Sequence, residues 1–300
     1  MKTCNIVFMG TPDFAVSALK RIYEDGHNIT LVLTQPDKQR GRGMAFTPSP
    51  VKAFALEKGL EVYQPDSLKC EEAQRIIKEQ NADYIVVAAY GKLLPPAVLS
   101  AAKGGSVNVH ASLLPKYRGA APINRAIMAG DKVGGVTVMQ MAEGLDTGDM
   151  LLVKEIPISD TMTAGEYHDK LASLGADAIS EFLAGDNFVP VKQDDSLATY
   201  AAKIEKSETE VDFSGDSVTV YNKIRGLSPY PCAFAYINGK RYKLKEASLG
   251  NGNGNCGTVL SASPDGVEIA CDNGSVIIKV LQPEGKRAMT AAEFLAGNKL

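Results

Sequence analysis

Two short, unbroken apolar runs constrain the fold most: Asn5–Met9 (NIVFM) and Asp83–Ala89 (DYIVVAA). Neither alternates apolar with polar residues, so neither suits a sheet with one face in water. Runs of this length and texture predict strands buried on both faces, as in a parallel sheet sandwiched between helices. The intervening text supplies the helices. Gly10 turns the chain, Thr11 can cap, and Pro12 sits at a first helical position, which predicts a helix to about Asp25 with Phe14, Leu19 and Ile22 inward. A second strand follows at Ile29–Thr34, and the alternation continues. Helices are expected over 50–58, 70–80 and 163–184, and strands at Val62–Tyr63, Gly134–Gln140 and Met150–Ile158. This order predicts a mostly parallel, doubly wound α/β domain of Rossmann-like type. No G-x-G-x-x-G follows the first strand, so no dinucleotide is expected there.

The texture changes from about Ser207. A short helix at Val218–Arg225 ends on Gly226, and Pro229 and Pro231 break the chain. Five short strand candidates follow: Cys232–Ile237, Tyr242–Ala247, Gly257–Ser261, Gly266–Ala270 and Ser275–Leu281. Asn238-Gly239, Asp265-Gly266 and Asn273-Gly274 separate them as hairpin signals. The set suggests a small β-barrel of OB-like type. The expected organisation is an α/β domain over 1–187, a polar connector over 188–206 and the barrel over 207–300.

Composition bounds the function. The chain is 45% apolar and 22% charged, as in ordinary globular proteins. No apolar run approaches the roughly 18 residues that span a bilayer, and the first residues lack the long core of a signal peptide, so a cytoplasmic protein is expected. The five cysteines are scattered and odd in number, and no two of the three histidines share a metal-ligand spacing. Neither a disulfide framework nor a metal is expected. A net charge of −3 argues weakly against a nucleic-acid partner.

The chemistry concentrates in Ser106–Ile123, SVNVHASLLPKYRGAAPI. Asn108 and His110 lie two apart, on the same side of a short buried strand and at its carboxyl end, where ligands of such sheets sit. A hydrogen-bond donor beside an imidazole suits stabilising an oxyanion and moving a proton. Taken alone, a polar strand end capping a loop is an equally good reading. Asp146, inside EGLDTG (Glu143–Gly148), reads alone as a carboxylate making a local turn. Lys116, Tyr117 and Arg118 divide evenly between contact with an anionic ligand and a solvated turn, while His27 and His168 read as bystanders. Gln35–Pro50 (QPDKQRGRGMAFTPSP) is long and basic, with Lys38, Arg40 and Arg42 and nothing to bury. Loops of that length without structure of their own tend to be functional.

The 106–123 text, the acidic loop at 143–148 and the opening FMGTPDFA (Phe8–Ala15) together resemble the folate-dependent formyltransferases. The resemblance implies transfer of a formyl group from 10-formyltetrahydrofolate, a co-substrate, to an amine. It implies that Asn108 donates to the oxyanion, that His110 moves the proton, and that Asp146 accepts from the other imidazole nitrogen. It also implies that Ser112, Leu113, Leu114 and Pro115 border the folate. The opening, the R-G-A-A-P-I text and the G-R-G element are most similar to the branch whose acceptor is initiator methionyl-tRNA. In that branch the loop enters the end of the acceptor stem, which gives Arg42, backed by Arg40, contact with tRNA. The barrel would bind tRNA and the chain would act as a monomer. Members of that branch often carry lysines after G-R-G, whereas this chain has Met44 and Ala45. The alternative acceptor is a small amino-sugar nucleotide, because relatives of that kind share the H-x-S-L-L-P-x-Y-R-G run.

Overall fold

The computed structural model describes residues 3–40, 45–185 and 188–299. In chain order its first elements are β1 (Asn5–Gly10), α1 (Asp13–Glu24), β2 (Asn28–Leu33), β3 (Lys38–Arg40), β4 (Ala45–Thr47), α2 (Pro50–Glu57), β5 (Val62–Tyr63) and α3 (Glu71–Glu79). There follow β6 (Tyr84–Ala88), α4 (Pro96–Leu99), β7 (Ser106–His110), β8 (Arg118–Gly119), α5 (Pro122–Ala129), β9 (Val133–Gln140), β10 (Met150–Pro157), α6 (Ala164–Ala184) and β11 (Tyr200–Ala201). The last are α7 (Ser217–Gly226), β12 (Ala233–Ile237), β13 (Lys240–Gly250), β14 (Val259–Ser263), β15 (Gly266–Ala270), β16 (Ser275–Pro283), β17 (Met289–Thr290) and α8 (Ala291–Leu295).

Seven strands form one sheet in the order β10-β9-β7-β6-β1-β2-β5. β5, β2, β1, β6 and β7 run parallel. The apolar runs that predicted buried strands are β1 and β6, paired side by side, and Ile6, Val7, Phe8, Ile85 and Val86 are fully buried. α1 covers one face with Phe14, Ala15, Ala18, Leu19 and Ile22. Gly10 permits this: a Cβ there would lie 2.6 Å from that of Ala15. The chain winds outward from β1 through β2 to β5, then returns to β6 and β7 on the other side. The switch falls between β1 and β6, and sheets of this kind bind ligands beyond the strand ends at that point.

Two local expectations are corrected. Thr11 does not cap α1. Pro12 is the N-cap residue and has no side chain able to accept, while the Thr11 hydroxyl donates to the Tyr90 carbonyl (3.1 Å) and ties the end of β1 to the end of β6. The antiparallel pairing of β9 with β7 fits a sheet that is mostly, not wholly, parallel. The 35–50 loop is not structureless, because β3 and β4 pair as a small antiparallel ladder from Lys38↔Thr47 to Arg40↔Ala45. Its base is clamped. Lys52 Nζ donates to Asp37 Oδ2 (2.6 Å) and Gln64 Oε1 (2.7 Å), and Gln64 Nε2 donates to Asp37 Oδ1 and the Gln35 carbonyl (both 2.8 Å). The hydrogen bond from Lys52 holds the Asp37 carboxyl below the usual carboxylate range.

Two compact units emerge. The first comprises 1–119, 135–156 and 169–200; the second comprises 120–134, 157–168 and 201–300. The second is built on an antiparallel sheet in the order β12-β13-β16-β15-β14, with β17 on β16. Asn238 and Gly239, both at positive φ, make the β12–β13 turn, and the other two Gly pairs fall at the β14–β15 and β15–β16 reversals. Its core gathers Ile224 and Leu227 from the end of α7 with Leu244, Ile269, Ile278 and Phe294. Among the described residues no helix is long and apolar enough to cross a membrane.

Candidate active site

Asn108 and His110 come from the carboxyl end of β7, where the side-chain period of two puts both on one side of the strand. Both are buried, at 9% and 5% exposure. The Asn108 amide makes no side-chain hydrogen bond among the described residues, yet it is not among their buried, unpartnered atoms. Its donors are therefore open to a ligand.

The His110 ring faces two acceptors. Nε2 lies 3.0 Å from the Tyr117 carbonyl, which can only accept, so Nε2 carries a proton. Nδ1 lies 3.7 Å from Asp146 Oδ2. That is ion-pair distance and too long for a hydrogen bond. The structure therefore refines the expectation that Asp146 accepts from the imidazole: the ring's hydrogen-bond partner is the Tyr117 carbonyl, and the carboxylate stands close by. Two acceptors around one ring complement an imidazole that has taken up a second proton.

Asp146 is held from two sides. Its Oδ2 accepts from the Gly119 amide at 2.8 Å. Its backbone is left-handed (φ 52°), a region that aspartate tolerates better than most residues. Gly148 lets the loop close, since a Cβ there would lie 1.7 Å from the Gln140 carbonyl oxygen.

The 111–119 loop is stapled from beneath. The Thr137 hydroxyl donates to the Ser112 carbonyl (2.8 Å) and accepts from the Leu114 amide (3.2 Å). The Ser112 hydroxyl donates to the Lys116 carbonyl (2.6 Å). Ser112 and Leu114 are buried, while Leu113 and Pro115 are half-exposed. Lys116 is exposed, but Arg118 is 2% exposed and anchored. Its Nε and Nη2 donate to Gln193 Oε1 (3.0 and 2.8 Å), and Nη2 also meets Asp195 (2.7 Å). Arg118 is neither a solvated turn residue nor free to meet an anionic ligand.

Thr137 and Gln193, and the backbone groups of Tyr117 and Gly119, escaped the sequence reading. Thr137, Gly119 and Gln193 act through contacts 23 to 75 residues away, and the Tyr117 carbonyl, seven residues from His110, is a backbone group that no residue type announces. Arg40 is placed in β3, and Arg42 lies outside the described residues. His27 is buried in a structural role, with Nδ1 accepting from the Cys4 amide at 3.2 Å. Burial pushes its imidazole below the ordinary value, with nearby Asp25 pulling weakly the other way. No group of three or more metal-ligating side chains occurs among the described residues.

Comparison with known proteins places this geometry. A family model described as formyl transferase matches residues 4–183, and one described as formyl transferase, C-terminal domain, matches 203–299. Fold and site thus define a formyl transferase. A methionyl-tRNA formyltransferase of Chromobacterium violaceum is 48% identical over 98% of this chain and 97% of its own. One of Hydrogenovibrio crunogenus is 45% identical over 98% and 96%. The chain belongs to the methionyl-tRNA formyltransferases. Among solved structures, an N-formyltransferase from Helicobacter canadensis in complex with folinic acid and dTDP-3-aminofucose has a TM-score of 0.67 at 18% identity, covering 91% of this chain and 98% of that one. HypX from Aquifex aeolicus in complex with tetrahydrofolic acid has a TM-score of 0.67 at 19% identity, covering 98% of this chain; this chain spans 47% of HypX. At such identities the likeness is one of fold.

Proposed function

We propose that this chain transfers the formyl group of 10-formyltetrahydrofolate to the α-amine of initiator methionyl-tRNA. The amine attacks the formyl carbon, a tetrahedral oxyanion forms, and the folate N10 leaves with a proton. The Asn108 amide donates to the oxyanion. His110, its Nε2–H kept on the Tyr117 carbonyl, takes up the amine proton at Nδ1, and N10 receives it from there. The Asp146 carboxylate, 3.7 Å from Nδ1, stabilises the charged ring during that interval. No side-chain nucleophile takes part, so no covalent intermediate forms.

The observation that carries this reading is the convergence of Asn108, His110 and Asp146 at the end of β7 in a chain so close to its methionyl-tRNA formyltransferase relatives. The stapled loop Ser112–Pro115 borders the folate, with Leu113 and Pro115 the more accessible pair. Arg40 and Arg42 meet the tRNA acceptor end. The 207–300 module, joined through 188–206 to the α/β domain over 1–187, supplies the rest of the tRNA surface. The enzyme acts in the cytoplasm as a monomer.

The test supplies labelled 10-formyltetrahydrofolate with methionyl-tRNA and, in parallel, an amino-sugar nucleotide. Label on methionyl-tRNA supports the reading. Label only on the sugar nucleotide would keep the trio but reassign the acceptor, and free formate alone would make the chain a hydrolase.

A further inference from the structure

Gln193 lies in the segment read from sequence as a connector, yet it is 5% exposed and makes four hydrogen bonds. Its Oε1 accepts from Arg118 Nε and Nη2. Its Nε2 donates to the carbonyls of Asp146 (2.9 Å) and Gly148 (2.6 Å). The orientation of the amide is unambiguous, because a guanidinium only donates and a carbonyl only accepts. Every donor and acceptor of the side chain is used. The two carbonyls flank Thr147, so the bridge grips the acidic loop on both sides of its turn.

Its other end is equally tied in. Arg118 sits between Tyr117, whose carbonyl holds His110, and Gly119, whose amide holds Asp146. Tyr117 and Arg118 are themselves held by Thr199, through hydrogen bonds from the Tyr117 amide to its hydroxyl and from the Arg118 amide to its carbonyl (both 2.8 Å). One three-residue segment thus carries the partners of His110 and Asp146 and the seat of the bridge. We infer that Gln193, seated on Arg118, is a positioning residue that sets the approach of Asp146 to His110. This inference rests on the catalytic reading above.

Gln193→Glu is the discriminating variant. It keeps the volume and pairs with Arg118, but it removes both donors to the acidic loop. The expected result is a kcat lower by about 10- to 100-fold, the scale of a small misplacement of a catalytic group, with folate affinity near wild type and a cooperative urea transition retained. In an Asp146→Asn background the same change should cost less than about threefold, because the charge it positions is gone. Arg118→Lys, which keeps a buried cation but loses the fork, should lower kcat in the same direction and provides the test if the first variant does not fold. Wild-type kcat in either folded variant overturns the inference, as does an equal loss with and without the Asp146 charge. If Asp146→Asn alone leaves kcat unchanged while the wild type is active, the catalytic reading of Asp146 fails, and the inference with it.

Discussion

His110 and Asn108 occupy adjacent inward positions of one strand but make different demands on their surroundings. The imidazole is held by a carbonyl and faced by a carboxylate, whereas the amide is left open. His110→Ala should therefore lower kcat by about 10²-fold or more, the scale of a positioned proton carrier, and Asn108→Ala by roughly 10²-fold through the lost oxyanion donor. Single-turnover formyl transfer measures both, and near-normal turnover would remove the residue from the chemistry. His27 gives a stability prediction instead. Its folded value lies below the ordinary imidazole value of about 6.5. Between the two values the unfolded chain holds more protons, so stability should fall as pH drops through that window. The urea midpoint should decline from pH 7.5 to pH 5.5, and His27→Gln should flatten that decline.

At the scale of elements, the β3–β4 ladder stands on the Lys52–Asp37–Gln64 clamp. A loop proposed to meet a polyanion gains from a fixed base. Lys52→Met should raise KM for methionyl-tRNA several-fold while leaving folate binding unchanged, and Arg42→Ala should do the same. Steady-state kinetics with each substrate varied in turn decide both; equal effects on the two substrates would deny the loop its acceptor role. The strand runs NIVFM and YIVVA were legible because burial on both faces leaves its mark in every residue. The direction of β9 was not, since a buried apolar strand reads the same whether it runs parallel or antiparallel. The capping error at Thr11 has a similar origin: its hydroxyl was claimed by the Tyr90 carbonyl, 79 residues away.

For the molecule as a whole, a net charge of −3 sits uneasily with a tRNA substrate. Binding must then rest on a few local cations, and its salt dependence counts them. KM for methionyl-tRNA should climb steeply with salt, whereas that for folate should climb less. Arg42→Ala should flatten the tRNA slope by about one, the signature of one lost phosphate contact. An unchanged slope would place Arg42 away from the backbone.

The pairing of Asn108 and His110 on one side of a strand, the strand–helix alternation and the hairpin turns were determined by sequence alone. They depend on residue type at short spacing: two on a strand, a Gly after an Asn, an apolar run of five. Only the tertiary structure decided what surrounds that pair. It turned Arg118 from a candidate ligand contact into a buried anchor. It made Gln193 the grip on the acidic loop, and it made the Tyr117 carbonyl the partner of His110. These roles come from hydrogen bonds that close when folding excludes water from groups up to 75 residues apart. A buried polar group must find a partner wherever the fold brings one, and no local pattern in the chain names it.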